Sequence, residues 1–142
     1  MEFVADRMCF ACGPENPIGL RLQFRQEGDA YVTTFIADQA FQGYHNVIHG
    51  GIVATLLDEV MARYVWAKYG PSATAKLEVR YRCPAPVGVP LEVRGWVTAE
   101  RRGGRAVETA AEARLEDGTV LAEATGLIIR LERPAGDASC TT

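Results

Sequence analysis

HNVIHGGIVATLLDEV, from His45 to Val60, holds both histidines of the chain, then two glycines, then an apolar run broken by two adjacent carboxylates. Extended to about Lys68, its spacing predicts one long helix starting at Gly50. Ile52, Leu56, Val60 and Tyr64 recur every four residues, and so do Val53, Leu57, Met61 and Val65. The two rows are neighbours on a helical wheel and make one broad apolar face. The rest of the wheel carries Thr55, Ala62 and Trp66, small or aromatic rather than charged. Such a helix is covered on most sides. Gly70-Pro71 stops it.

The segments around the helix alternate differently. The opening stretch to Leu20 is punctuated by Gly13, Pro14, Pro17 and Gly19 and reads as turn and coil. LRLQF (Leu20 to Phe24) and AYVTTFIA (Ala30 to Ala37) read as two strands joined by the turn EGD, and residues 39–49 as a loop. Four more strands are expected after the helix. In ATAKLEVRYRC (Ala73 to Cys83), Ala75, Leu77, Val79 and Tyr81 face one side, and Lys76, Glu78, Arg80 and Arg82 the other. LEVRGWVTAERR (Leu91 to Arg102), RAVETAAEARLE (Arg105 to Glu116) and TVLAEATGLIIRLE (Thr119 to Glu132) follow, separated by GG at 103–104 and DG at 117–118. Residues 133–142 form a polar tail expected to be loose. Connections this short force antiparallel pairing. The expected fold is α+β, one antiparallel sheet wrapped around one central helix, in a single domain over 1–142.

Composition narrows the function. At 142 residues and 48% hydrophobic the chain can bury an ordinary core. Fifteen basic residues against 18 acidic ones argue against a general nucleic-acid binder. No apolar run approaches the roughly 20 residues of a membrane span, and the opening residues carry no signal-peptide pattern, so a cytoplasmic protein is expected. The cysteines are Cys9, Cys12, Cys83 and Cys140. Cys9 and Cys12 form a CxxC. A zinc site would want a second pair or spaced histidines, yet Cys83 and Cys140 are isolated and His45 and His49 distant. A redox CxxC usually opens a helix, and this one runs into Gly13-Pro14. Reduced structural thiols, with no metal and no cofactor, are the expectation.

The two carboxylates differ. Glu59 precedes Arg63 by four residues, the order that supports an exposed helical ion pair. Asp58 has Ala54, Thr55, Met61 and Ala62 at helical spacing, none of them cationic. A carboxylate flanking an apolar face loses solvation and its pKa rises, which marks Asp58 as a candidate base or nucleophile. At the helix start, backbone N–H groups lack intrahelical acceptors and the macrodipole is positive. Gly50 and Gly51 leave those donors bare for a carbonyl oxygen gaining negative charge, and His49 can hold the turn. Gly50 and Asp58 are eight residues apart, roughly 12 Å along a helix, so one carbonyl cannot touch both. Two antiparallel copies of the helix about a two-fold axis would bring them together.

GYHNVIHGGIVATLLDE resembles the HGG motif of hotdog-fold acyl-CoA thioesterases, in the PaaI-like branch of the 4-hydroxybenzoyl-CoA thioesterase superfamily. CFACGPENPIGLRL is similar to an N-terminal segment common in that branch. The resemblance runs from about Cys9 to Leu131. It implies a catalytic carboxylate at Asp58, a carbonyl-polarising N–H at Gly50, a positioning His49 and an assisting hydroxyl at Thr74. It also implies an acyl-CoA substrate and a homodimer, or a dimer of dimers, with sites across the interface. Gly43 departs from the pattern, because many relatives carry Asn or Gln six residues before the motif histidine; Gln42 and Asn46 are the nearby candidates to substitute, with Gly51 as a further donor. For the coenzyme phosphates, Arg82 and the cluster Arg101, Arg102 and Arg105 are the candidate cations. Trp66, Tyr64, Met61 and the loop from Phe41 to Tyr44 are expected to set the pocket length. A non-catalytic acyl-CoA binding protein and a hotdog dehydratase using His45 or His49 are the competing readings.

Overall fold

The expected helix forms as α1 (Gly50–Tyr69), in a computed structural model that describes residues 3–131. The tail at 133–142, with Cys140, lies outside the described residues. Both apolar rows are buried apart from Ile52, which is half-buried. Gly70 sits at φ 89°, a left-handed region that favours glycine, and its N–H closes the last turn on the Trp66 carbonyl.

Among the described residues eight strands accompany α1: β1 (Arg25–Glu27), β2 (Ala30–Phe35), β3 (Gln42–Tyr44), β4 (Val47–Ile48), β5 (Ser72–Tyr81), β6 (Leu91–Arg101), β7 (Ala106–Arg114) and β8 (Val120–Arg130). Six of them form one antiparallel sheet in the order β1-β2-β6-β7-β8-β5. β2, β5, β6, β7 and β8 all pack against α1, so the sheet curls around the helix. This is the hotdog arrangement. Its core joins Leu56, Leu57, Val60, Met61 and Val65 of the helix to Val93, Val107, Ala111 and Ile128 of the sheet. Two glycines allow the close approach. A Cβ on Gly95 would lie 3.0 Å from Val60 Cγ1, and one on Gly126 would lie 2.8 Å from Thr109 Oγ1 and 3.2 Å from Met61 Cε. The buried Thr109 hydroxyl donates to the Gly126 carbonyl at 3.1 Å, so no polar group is stranded there.

Two expectations change. Leu20 and Leu22 are buried and Arg21 and Gln23 exposed, as alternation required, but Leu20 to Phe24 is no ladder strand. Leu20 and Leu22 donate instead to the Phe10 and Ala11 carbonyls of the N-terminal segment, and pairing with β2 begins only at Arg25. The loop at 39–49 contains the small hairpin β3-β4, tied down by Ile48 N–H to the Ala85 carbonyl and His49 N–H to the Phe41 carbonyl.

Candidate active site

Asp58 lies half-buried on α1, facing β5. Thr74 Oγ1 donates to its Oδ1 at 2.8 Å. Burial pushes the carboxyl above its ordinary range, and the Thr74 hydrogen bond pulls it partly back. Thr74 reaches the helix because β5 is bulged. Thr74 pairs with Ile128 and Lys76 with Leu127, leaving Ala75 without a partner between them. Among the described residues β5 is an edge of the sheet, and this pair sits on it.

The helix start is built by His49. Its Nδ1 accepts the Gly51 N–H at 2.8 Å, a side-chain cap. That corrects the place of Gly51: its donor is already used. Among the described residues Gly50 N–H donates to no protein acceptor. A Cβ at Gly50 would meet the Tyr81 ring at 3.5 Å, ordinary contact, so packing within the chain does not demand a glycine there. Tyr81, at the other end of β5, donates its hydroxyl to the Gly50 carbonyl at 2.6 Å. Sequence reading gave Tyr81 only a place on the apolar side of its strand. Its position as the last aromatic of an edge strand, next to Arg82, was the available signal.

A cavity of about 660 Å³ opens in front of this turn. Its polar rim is His49, Gly50, Tyr44, Tyr81 and Arg82, and Val53, Ala85 and Leu121 line its apolar wall. Asp58 is not part of it, as the distance along the helix requires. Of the residues expected to set pocket length, only Gly43 and Tyr44 of the loop line it. Met61 is core beside Thr109, and Tyr64 stacks on Tyr31 at 5.4 Å.

Gln42 and Asn46 do not line the cavity. Gln42 Oε1 accepts the Asn46 N–H at 3.3 Å, and Asn46 Nδ2 lies 3.2 Å from His45 Nε2. Gly43 is packed too closely for a longer residue to sit in its place unchanged, because a Cβ there would lie 3.2 Å from His49 Cα. The four arginines are also not one cluster. Arg82 borders the cavity and is held by Glu123 at 2.7 Å. Arg101 pairs with Glu108 at 2.7 Å, and Arg102 and Arg105 are exposed at the far hairpin. Arg82 bonds to Leu121 and Arg105 to Arg130. Those two positions are nine residues apart on β8, about 30 Å at roughly 3.3 Å per residue.

Glu59 forms no ion pair with Arg63. It is half-buried beneath the N-terminal segment, where Cys9 Sγ donates to its Oε1 at 3.6 Å and Cys12 stands beside it.

Comparison with known proteins gives the site a context. Acyl-coenzyme A thioesterase THEM4 of Xenopus laevis is 34% identical over 91 residues, which is 63% of this chain and 40% of that protein. The crystal structure of a thioesterase superfamily protein is 31% identical with a TM-score of 0.77, over 87% of this chain and 60% of that one. This chain thus spans less than two thirds of either relative. A variant of the phenylacetic acid degradation protein PaaI from Thermus thermophilus shares the fold at 24% identity and a TM-score of 0.70, over 79% of this chain and 95% of that one. The family model described as the thioesterase superfamily matches residues 45–122, which holds His49, Gly50, Asp58, Thr74 and Tyr81; the chain belongs to the thioesterase superfamily.

Proposed function

We propose that this protein is an acyl-CoA thioesterase, hydrolysing an acyl- or aroyl-CoA to the free acid and coenzyme A. In this reading it works in a cytoplasmic setting as a homodimer or dimer of dimers, with each site shared across an interface. The observation that carries the proposal is that both halves of the site hang on β5, an edge strand among the described residues. Thr74 with Asp58 lies at one end of β5 and Tyr81 with Gly50 at the other. An unpaired edge strand invites pairing with a second copy. Antiparallel pairing of two β5 strands, centred near Leu77 and Glu78, sets Thr74 of one copy opposite Tyr81 of the other. Asp58 then faces the cavity that begins at Gly50 of the second copy. The same two-fold operation carries the Arg101–Arg105 hairpin of one copy toward the Arg82 end of the other, so cations about 30 Å apart in one chain can converge on one coenzyme.

The chemistry follows from the two halves. The thioester carbonyl oxygen accepts the Gly50 N–H, and the positive helix end stabilises the charge that grows there. Asp58 of the other copy either removes a proton from water as it attacks the carbonyl carbon, or attacks directly to give an anhydride that water opens. In both routes the C–S bond breaks and coenzyme A leaves as the thiolate. A carboxyl raised by burial accepts a proton more readily at neutral pH. Thr74 holds Asp58 in place, and His49 keeps the turn in the shape that bares Gly50. Coenzyme A enters as part of the substrate, so the proposal calls for no further cofactor.

Thiol release from phenylacetyl-, benzoyl- and medium-chain acyl-CoA tests the reading. The wild type is expected to release coenzyme A from at least one, and Asp58→Asn to lose about 10²- to 10⁴-fold in kcat. Tight binding of every thioester without release, or equal rates in both proteins, would refute it.

A further inference from the structure

The geometry points to a zinc-binding site formed by Cys9, Cys12 and Glu59, at the seam between the N-terminal segment and α1. One ligand atom from each residue lies within 4.8 Å of the others. Cys9 Sγ is 3.6 Å from Glu59 Oε1. A tetrahedral zinc with Zn–S near 2.3 Å and Zn–O near 2.0 Å separates such ligands by about 3.5 Å. The three atoms therefore need little movement to close on an ion, with water in the fourth position.

The turn that presents the thiols is fixed by bonds of its own. Gly13 N–H donates to the Cys9 carbonyl at 2.8 Å, and Glu15 N–H to the Arg7 carbonyl at 3.0 Å. Asn16 Nδ2 reaches the Met8 carbonyl at 3.0 Å. A Cβ on Gly13 would lie 2.4 Å from the Cys9 nitrogen and 2.6 Å from the Arg7 and Cys9 carbonyl oxygens. Only glycine closes this C-x-x-C-G turn, and its closure turns both thiols toward α1.

Among the described residues no ion pair neutralises Glu59, and two thiols stand against it. Burial pushes the Cys12 thiol up, and the neighbouring Glu59 and Cys9 push it further. A divalent ion reverses that balance. It displaces one proton from each thiol, binds two thiolates and one carboxylate, and releases two protons. Thiolate ligands select zinc over magnesium or calcium. In the sequence the CxxC has no further cysteine pair or spaced histidines to complete it. The third ligand is a carboxylate 50 residues away on a helix. Asp58 precedes Glu59 but projects toward β5, so the site is a clamp on the N-terminal segment and is independent of thioester chemistry.

The test uses the full-length protein, reduced and stripped with a chelator, then titrated with Co²⁺ as a visible stand-in. One equivalent of cobalt per chain is expected, with sulfur-to-cobalt charge-transfer and tetrahedral d–d absorption, both removed by one equivalent of Zn²⁺. Cys9→Ser and Cys12→Ser each abolish the charge-transfer saturation. Glu59→Gln retains charge transfer, changes the d–d bands and weakens uptake, and it tests the site even if a cysteine variant misfolds. Cys83→Ser binds as the wild type does. Zinc also shields two of the four thiols from a thiol reagent until chelator is added. Absence of the bands in the reduced protein, bands unchanged in Cys12→Ser, or bands and uptake unchanged in Glu59→Gln would overturn the proposal. So would conversion of Cys9 and Cys12 to a disulfide with no metal uptake by the reduced form.

Discussion

Asp58 is held where its charge is poorly solvated, and that has a stability consequence of definite sign. Its carboxyl titrates above the ordinary value of 3.8 in the folded chain, so the folded state holds this proton more tightly than the unfolded state. The stability the group contributes is present at low pH and is lost as pH rises from the ordinary aspartate range through the raised value. Asp58→Asn is therefore expected to unfold at a higher temperature than the wild type at neutral pH, with the gap closing below about pH 4. Calorimetry across pH measures this, alongside the activity loss. Gly50 offers a cleaner test of the donor. It is the first residue of α1, where proline is favoured, and His49 before it is already extended at φ −56°, ψ 133°. Gly50→Pro removes one N–H and is expected to keep the helix, measured by circular dichroism, while kcat falls about 10²- to 10³-fold. At this scale the sequence was readable only for contacts within the helix. The lack of local partners for Asp58 was visible in its neighbours. The Thr74 hydroxyl reaching it was supplied by family resemblance, since alternation alone groups Thr74 with Lys76. Glu59 was assigned to Arg63 because both lie on α1, and Cys9, 50 residues away, leaves no trace in helical spacing.

The long elements were legible because each repeats its signal. α1 carries two four-residue rows, and β5 to β8 alternate over nine or more residues between glycine turns. The observed bounds fall within two residues of those expected. Short elements repeat nothing: β3 and β4 have three and two residues, and their pairing comes from contacts with Phe41 and Ala85. The segment before β1 shows a different limit. Alternation reports which side chains are buried, not which backbone groups pair, and Leu20 and Leu22 satisfy the first without the second. The helix–sheet seam yields a stability prediction. Gly126→Ala drives a methyl into Thr109 and Met61, which are fixed to each other and to Gly126 by the Thr109 hydroxyl. Denaturant unfolding is expected to give a loss of about 1–3 kcal/mol with the fold retained.

For the whole molecule, the Asp58–Thr74 pair and the Gly50–Tyr81 pair lie at opposite ends of β5 in one chain. If a second copy completes each, two inactive variants should rescue one another. Asp58→Asn and Gly50→Pro, mixed in equal amounts after subunit exchange, form heterodimers with one intact and one doubly damaged site. About a quarter of wild-type activity is expected from random pairing, read by thiol release. Recovery near zero would place both groups in the same protomer's site. The single-chain distance argument was available from the sequence, because helical rise converts residue number into length. The identity of the pairing edge was not, because strand order depends on which hairpins neighbour which, and β5 pairs with β8 across two intervening strands in the chain.

The bulge at Ala75 acts as a spare residue in a strand that must keep parity. Tyr81 is an odd step of seven from Thr74, and a regular strand would turn them to opposite sides; Ala75, left out of the ladder, makes the step even. Length changes here should therefore be tolerated in one direction only. Deleting Ala75 leaves every other pairing in β5 as it stands, with Thr74 still toward the helix. Inserting one alanine beside it reverses Thr74 and strips the hydroxyl from Asp58. Assayed side by side, the shortened chain is expected to stay within about tenfold of wild-type kcat and the lengthened one to fall well below it. The edge strand thus carries a reading frame of its own, in which one omission is silent and one addition is not.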